Sequence, residues 1–195
     1  MIWSLVAKNV NGFVMEALLV MDMQTPIVGM IADSTALLQN VRKAIDNARK
    51  KSVRVIFVTV TFRPGFPEIS PNNKMFHAIR ERAALFADPA GAAVHPDLNP
   101  KEDDVIVVKR RVSAFAGSDL EVILRSQGIQ HLVLCGIATS GVVLSTLREA
   151  ADKDYQITVL SDCCADMDAE VHNVLLGKIF PRQADVMPAA QWIGT

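Results

Sequence analysis

The chain has little of what most sites and most scaffolds are made from. Of its 195 residues only 6% are aromatic, with one tyrosine and two tryptophans, so the core must be aliphatic. Three cysteines, two of them adjacent as Cys163 and Cys164, make an odd number and no disulfide framework, which suits a reducing compartment; the expectation is a cytoplasmic protein. A formal net charge of −1 supplies neither a basic nor an acidic field, so nucleic acid and anionic membranes are not expected partners. No apolar run reaches the ~18 residues that cross a bilayer. Lys8 and Glu16 interrupt the apolar N-terminus, which also lacks the basic start of a secretory signal. His77, His95, His131 and His172 are scattered without metal-ligand spacing, and no glycine-rich phosphate loop occurs, so neither a metal nor a cofactor is expected.

What the chain does have is aliphatic patterning. Half of its residues are hydrophobic. Short Val-, Ile- and Leu-rich runs at 17–21, 53–60, 105–108, 132–135 and 157–160 have the composition of strands buried on both faces, and 184–187 is a sixth, weaker candidate. Helical patterns lie between them. Leu37, Val41, Ala44, Ile45 and Ala48 recur at helical spacing behind Asp33 and Ser34 as candidate caps. Ser118 to Glu121 has the form of a capping box, with Gly128 placed to stop that helix. Further helices are expected from about 141 to 154 and 168 to 180. Strand, helix, strand throughout predicts right-handed βαβ units: an α/β, three-layer Rossmann-like fold with an open parallel sheet of about six strands and helices on both faces. At this length one domain suffices, burying roughly 70% of the unfolded surface.

Ligands of such sheets bind beyond the carboxyl ends of the strands. Asp22 follows the first strand, Lys109 ends the third, Thr139 and Ser140 follow the fourth and Asp162 the fifth, so polar groups from four strands gather at one edge. A carboxylate at the end of a buried strand is partly desolvated, which raises its pKa and suits proton transfer near neutrality. The irregular segment from Arg63 through Phe66 to Asn73 is expected to form a rim.

Three segments carry a family resemblance. Gly136-Ile137-Ala138-Thr139, followed at its spacing by Thr146, resembles the nucleophile turn of the isochorismatase-like hydrolases, and places Val142 where most members carry the reactive cysteine. Asp22-Met23-Gln24 is similar to the Asp-x-Gln that opens their active site, and Lys109 with Ser113-Ala114-Phe115 is similar to their Lys-x-x-x-Ser-Ala-Phe segment, closest to the isochorismatase version. The resemblance covers residues 16–195 as one domain, with 1–15 as an extension outside it. An extra strand, an arm on a neighbouring subunit and disorder are all open for that extension.

The resemblance implies that Asp22 and Lys109 form the catalytic pair, with a cis peptide between Ile137 and Ala138. The amides of Ala138 and Val142 would then hold an oxygen near a helix N-terminus. It assigns Gln24, Arg63, Phe66, Phe115, Thr139 and Ser140 to substrate binding, lacks the family's Asp-x-His metal motif, and implies a homo-oligomer, dimer or tetramer. Valine forms no thiolate. Two readings therefore stand. One is a hydrolase acting on a small polar or carboxylate-bearing metabolite without a covalent thiol intermediate, with Asp22 as general acid/base. The other is a catalytically silent member that binds a small molecule or serves as an oligomeric structural partner.

Overall fold

The computed structural model describes residues 15–80 and 92–194. Six strands, β1 Glu16–Met21, β2 Arg54–Val60, β3 Val105–Lys109, β4 His131–Ile137, β5 Gln156–Ala165 and β6 Asp185–Met187, form one sheet in the order β3-β2-β1-β4-β5-β6, every neighbouring pair parallel. β1 sits at the centre, and Ala17 to Met21 are buried without alternation, as a strand covered on both faces requires. The expected α/β sheet is the observed one. The extension at residues 1–14 lies outside the described residues.

The chain moves outward from β1 in two directions, and right-handed crossovers then place helices on opposite faces. Helix α1 is Thr25–Val28, directly after β1. Helix α2, Thr35–Lys50, follows and buries the stripe Leu37, Leu38, Val41, Ala44, Ile45 and Ala48. Asp33 Oδ1 accepts from the Thr35 amide at 3.1 Å, so Asp33 supplies the side-chain bond next to Ser34 at the N-cap. Helix α3 is Lys74–Ile79. Helix α4, Leu120–Ser126, leads into β4, and Gly128 past its end has φ +65°. Helix α5, Leu144–Asp152, joins β4 to β5. The C-terminal helix α7, Ala189–Gly194, is tied back to the start of β1 by Trp192 Nε1, which donates to Glu16 Oε1 at 3.0 Å.

Three boundaries depart from expectation. β5 does not stop at residue 160: it bends through Ser161 and Asp162, shifts register against β4 between Leu134 and Gly136, and runs to Ala165. The helix expected from 141 begins at Thr139 as a wide turn, Thr139–Val143, broken at Gly141. The helix expected over 168–180 is α6, Ala169–Val174, succeeded by a wide turn Leu175–Ile179 and a tight one, Phe180–Arg182, where Pro181 cannot continue the ladder.

Gly136 is the closest approach in the sheet. A Cβ there would lie 2.4 Å from the Met21 carbonyl oxygen, so only glycine lets β4 leave beside β1. That contact sets the gap between the two strand ends where the strand order reverses, the usual crevice of an open α/β sheet.

Candidate active site

The crevice is real. At the carboxyl end of β1, β2, β3 and β4 lies a cavity of about 550 Å³. Asp22 and Lys109 both face it. Asp22 takes a left-handed conformation, φ +56°, which an aspartate tolerates better than most residues, and its amide donates to the Val58 carbonyl at 2.8 Å. The β1 chain is thereby turned at its end while still hydrogen-bonded to β2.

Lys109, 2% exposed, extends its Nζ to Asp22 Oδ2 at 3.0 Å and donates to the Arg111 carbonyl at 2.8 Å. The other carboxylate oxygen, Asp22 Oδ1, is buried without a hydrogen-bond partner. Burial holds the Asp22 carboxyl above the ordinary aspartate range, and the Lys109 ammonium pulls in the opposite direction without cancelling it.

The turn after β4 contributes to the same wall. The Ile137–Ala138 peptide is cis, and Ile137, Ala138, Gly141 and Val142 all line the cavity. The turn is held from behind. Asp166 Oδ2 accepts from the Ser140 amide at 2.7 Å, and Thr139 Oγ1 meets His172 Nδ1 at 2.8 Å. Val142 thus lines the same cavity as Asp22 and Lys109 while being almost wholly buried.

Several residues expected to touch a substrate have other work. Gln24 is fully buried: its Oε1 accepts from the Val60 amide at 2.8 Å and its Nε2 donates to the Val60 carbonyl at 3.2 Å, so it latches the end of β2 instead of lining the cavity. Arg63 is two-thirds exposed and bound to Glu68 at 2.6 Å. Phe66 packs edge-on against Phe62, with ring centroids 6.4 Å apart, and it is Phe62 that reaches the wall. Phe115 lies beside Tyr155, ring centroids 6.0 Å apart, with the Lys153 ammonium 5.5 Å above its ring. Thr139 and Ser140 brace the turn from outside. Asp162 Oδ1 accepts from the Ala189 amide at 2.7 Å and anchors α7.

The Ser113-Ala114-Phe115 segment is a clip. Ser113 Oγ donates to Glu149 Oε2 at 2.6 Å, and the Ala114 amide donates to Thr146 Oγ1 at 2.9 Å, which fastens the chain after β3 to α5. Thr146 and Ser113, in register with the motifs, therefore position Lys109 relative to the β4 turn without entering the cavity.

Much of the wall comes from residues without a motif: Ile27 and Met30 around α1, Phe62 after β2, Met75 and Phe76 in α3, and Met167 after β5. The available signal was placement, since each follows a strand end or opens a helix at that edge. Their apolar character pointed to core instead. The four histidines stand apart: His131 meets Glu16, His172 meets Thr139, His95 caps a short turn and His77 is exposed. Among the described residues, no three His, Cys, Asp or Glu side chains gather as a cation site would need.

A parallel sheet in this order, with a buried carboxylate–ammonium pair at its reversal point, defines an α/β protein with an acid–base site. A family model, the isochorismatase domain, matches residues 16–191. The isochorismatase family protein YwoC of Bacillus subtilis is 36% identical over 170 residues, 87% of this chain and 88% of that protein. The ureidoacrylate amidohydrolase RutB of Yersinia enterocolitica is 32% identical over 169 residues, 75% of this chain and 74% of that enzyme. Among solved structures, a cysteine hydrolase from Pseudomonas syringae pv. phaseolicola superposes with a TM-score of 0.83 at 26% identity, covering 92% of this chain and 91% of its own. The chain belongs to the isochorismatase family, and is a hydrolase of that family.

Proposed function

We propose that this hydrolase cleaves a small amide by direct attack of water, with Asp22 as the proton-transfer group and no covalent thiol intermediate. The observation that carries this reading is the buried Asp22–Lys109 pair at a cavity whose wall includes Val142, the residue that the family resemblance puts at the nucleophile position. The amidohydrolase RutB supports the choice of an amide.

In this reading Asp22 Oδ1 accepts a proton from water as the water oxygen attacks the carbonyl carbon. The C–N bond then breaks, and Asp22 returns the proton to the departing nitrogen, giving a carboxylic acid and ammonia or an amine. Lys109 holds Oδ2, orients the carboxyl group and limits how far burial raises its pKa. The Ala138 and Val142 amides are the proposed donors to the oxygen that becomes negative during attack. The three cysteines take no part. All are buried, and burial lifts their thiols out of the reactive range, Cys164 to about 12.

Ammonia release from a panel of small amides is the test. Asp22→Asn keeps the size of the side chain and removes the base, so turnover is expected to fall by about 10²–10⁴-fold with the fold intact. A variant that kept the full rate would end the proposal, and so would a wild-type protein silent on every amide. Homo-oligomerisation remains a separate proposal, carried over from the family and checked by sedimentation.

A further inference from the structure

We infer that the substrate is uncharged and apolar-bodied, a compact hydrophobic amide with one polar head, and not a carboxylate-bearing metabolite. This rests on the reading of the Asp22 cavity as the reaction site. Among the described side chains on its wall, only Asp22 and Lys109 carry charge, and they answer each other at 3.0 Å. The remainder of the wall is methionine, phenylalanine, isoleucine, valine, proline, alanine and glycine.

A substrate carboxylate needs a second cation, because an anion taken from water into an apolar wall without a partner loses its hydration for nothing. Among the described residues of the adjoining segments, Arg63, Arg110 and Arg111 are each held by neighbours, and none of the three lines the cavity. Arg63 is paired with Glu68. Arg110 donates to Thr61 Oγ1 at 3.0 Å and lies 3.4 Å from Glu68. Arg111 donates to the Arg110 carbonyl at 2.7 Å, and its guanidinium sits 5.8 Å over the Phe76 ring, which also meets Phe62 edge-on at 5.7 Å. Lys109 could meet a carboxylate only by giving up part of its hold on Asp22.

The mouth has the same character. Met30, Met75 and Met167 are 45%, 50% and 63% exposed, unusual for large apolar side chains, and all three line this one cavity. Methionine is unbranched and adaptable, so such a mouth fits hydrophobic bodies of varied shape. At about 550 Å³ the cavity lies within the usual range for small-molecule sites, with ample room for a substituted ring or a branched chain.

Two probes of matched shape decide the matter: 4-isopropylbenzamide and 4-carbamoylbenzoate, which differ only in an isopropyl group or a carboxylate opposite the amide. Calorimetry with the full chain is expected to show the isopropyl compound binding at least about tenfold more tightly. Met75→Arg places a cation at the half-exposed mouth, where it need not be buried, and is expected to reverse the preference. Equal or tighter binding of the carboxylate by the wild type, or binding of neither compound, would overturn the inference whatever the turnover. Binding of 4-isopropylbenzamide without ammonia release would sink the hydrolysis scheme while leaving the ligand class standing.

Discussion

At the amino end of the sheet, Arg49, Arg54, Lys101, Asp103 and Asp104 ring a cavity of about 310 Å³; at the carboxyl end, a cavity of about 550 Å³ has, among the described residues, only Asp22 and Lys109 as charged groups. The first is rich in charge and poor in consequence. Its ions are largely matched among themselves: Arg49 pairs with Asp104, both mostly buried, and Arg54 donates to Gln127 from an exposed position where water screens it. The second pair is buried in apolar surroundings, so a single proton on Asp22 changes the local energy far more. Charge marks a site here only where burial makes it costly.

The comparison is broken most forcefully at Lys109. Lys109→Met leaves the buried Asp22 carboxylate without its counter-ion, which should cost about 3–5 kcal/mol in chemical denaturation. It also removes the one influence that lowers the Asp22 pKa, so that pKa rises further above its ordinary value. A general base works only when deprotonated. The acid limb of the pH–rate profile, already above the ordinary aspartate range in the wild type, should therefore move to higher pH. A carboxyl group with a raised folded-state pKa gives its full stabilisation below the unfolded-state value and loses it as pH rises through the folded-state value. Stability of the variant should consequently fall with rising pH over a wider window than that of the wild type. An acid limb that stays in place would separate Asp22 from the rate.

Gln24→Ala comes next. It strips both the amide and the carbonyl of Val60 of buried partners, which should cost about 2–5 kcal/mol, and loosens a wall residue; the denaturation midpoint reads it. Val142→Cys is nearly isosteric and should alter stability little, yet it puts a thiol on the cavity wall. Iodoacetamide, itself a small amide, should then reach residue 142 through the cavity it lines, while the three native thiols, none of which lines that cavity, stay unmodified, as peptide mass mapping would show. Smallest is Arg54→Ala at the amino end, expected within about 0.5–1 kcal/mol of the wild type and without effect on turnover.

The sequence carried the sheet well because buried parallel strands announce themselves as uninterrupted aliphatic runs, and the edge holding Asp22, Lys109 and the 137–142 turn follows from where those runs stop. It misjudged β5 because Ser161 and Asp162 interrupt the run while the strand continues past a register shift. Motif residues such as Gln24, Phe115 and Ser140 gave no sign of whether they face substrate or scaffold. That depends on which backbone groups are left unpaired at the strand ends, and Val60, Ala114 and the Ser140 amide found their partners only in three dimensions. The apolar wall was the least legible part. Met30, Met75 and Met167 come from distant segments, and a lone methionine reads as core filler until the fold brings three to one opening.

The central claim is that water, and no protein side chain, attacks the substrate at this site. Intact-mass spectrometry of the wild-type protein, quenched in acid at intervals while it releases ammonia from 4-isopropylbenzamide, tests that claim most directly. The unmodified protein mass is expected in every sample as ammonia accumulates. An acyl adduct on any side chain during turnover, or the absence of ammonia altogether, would contradict it.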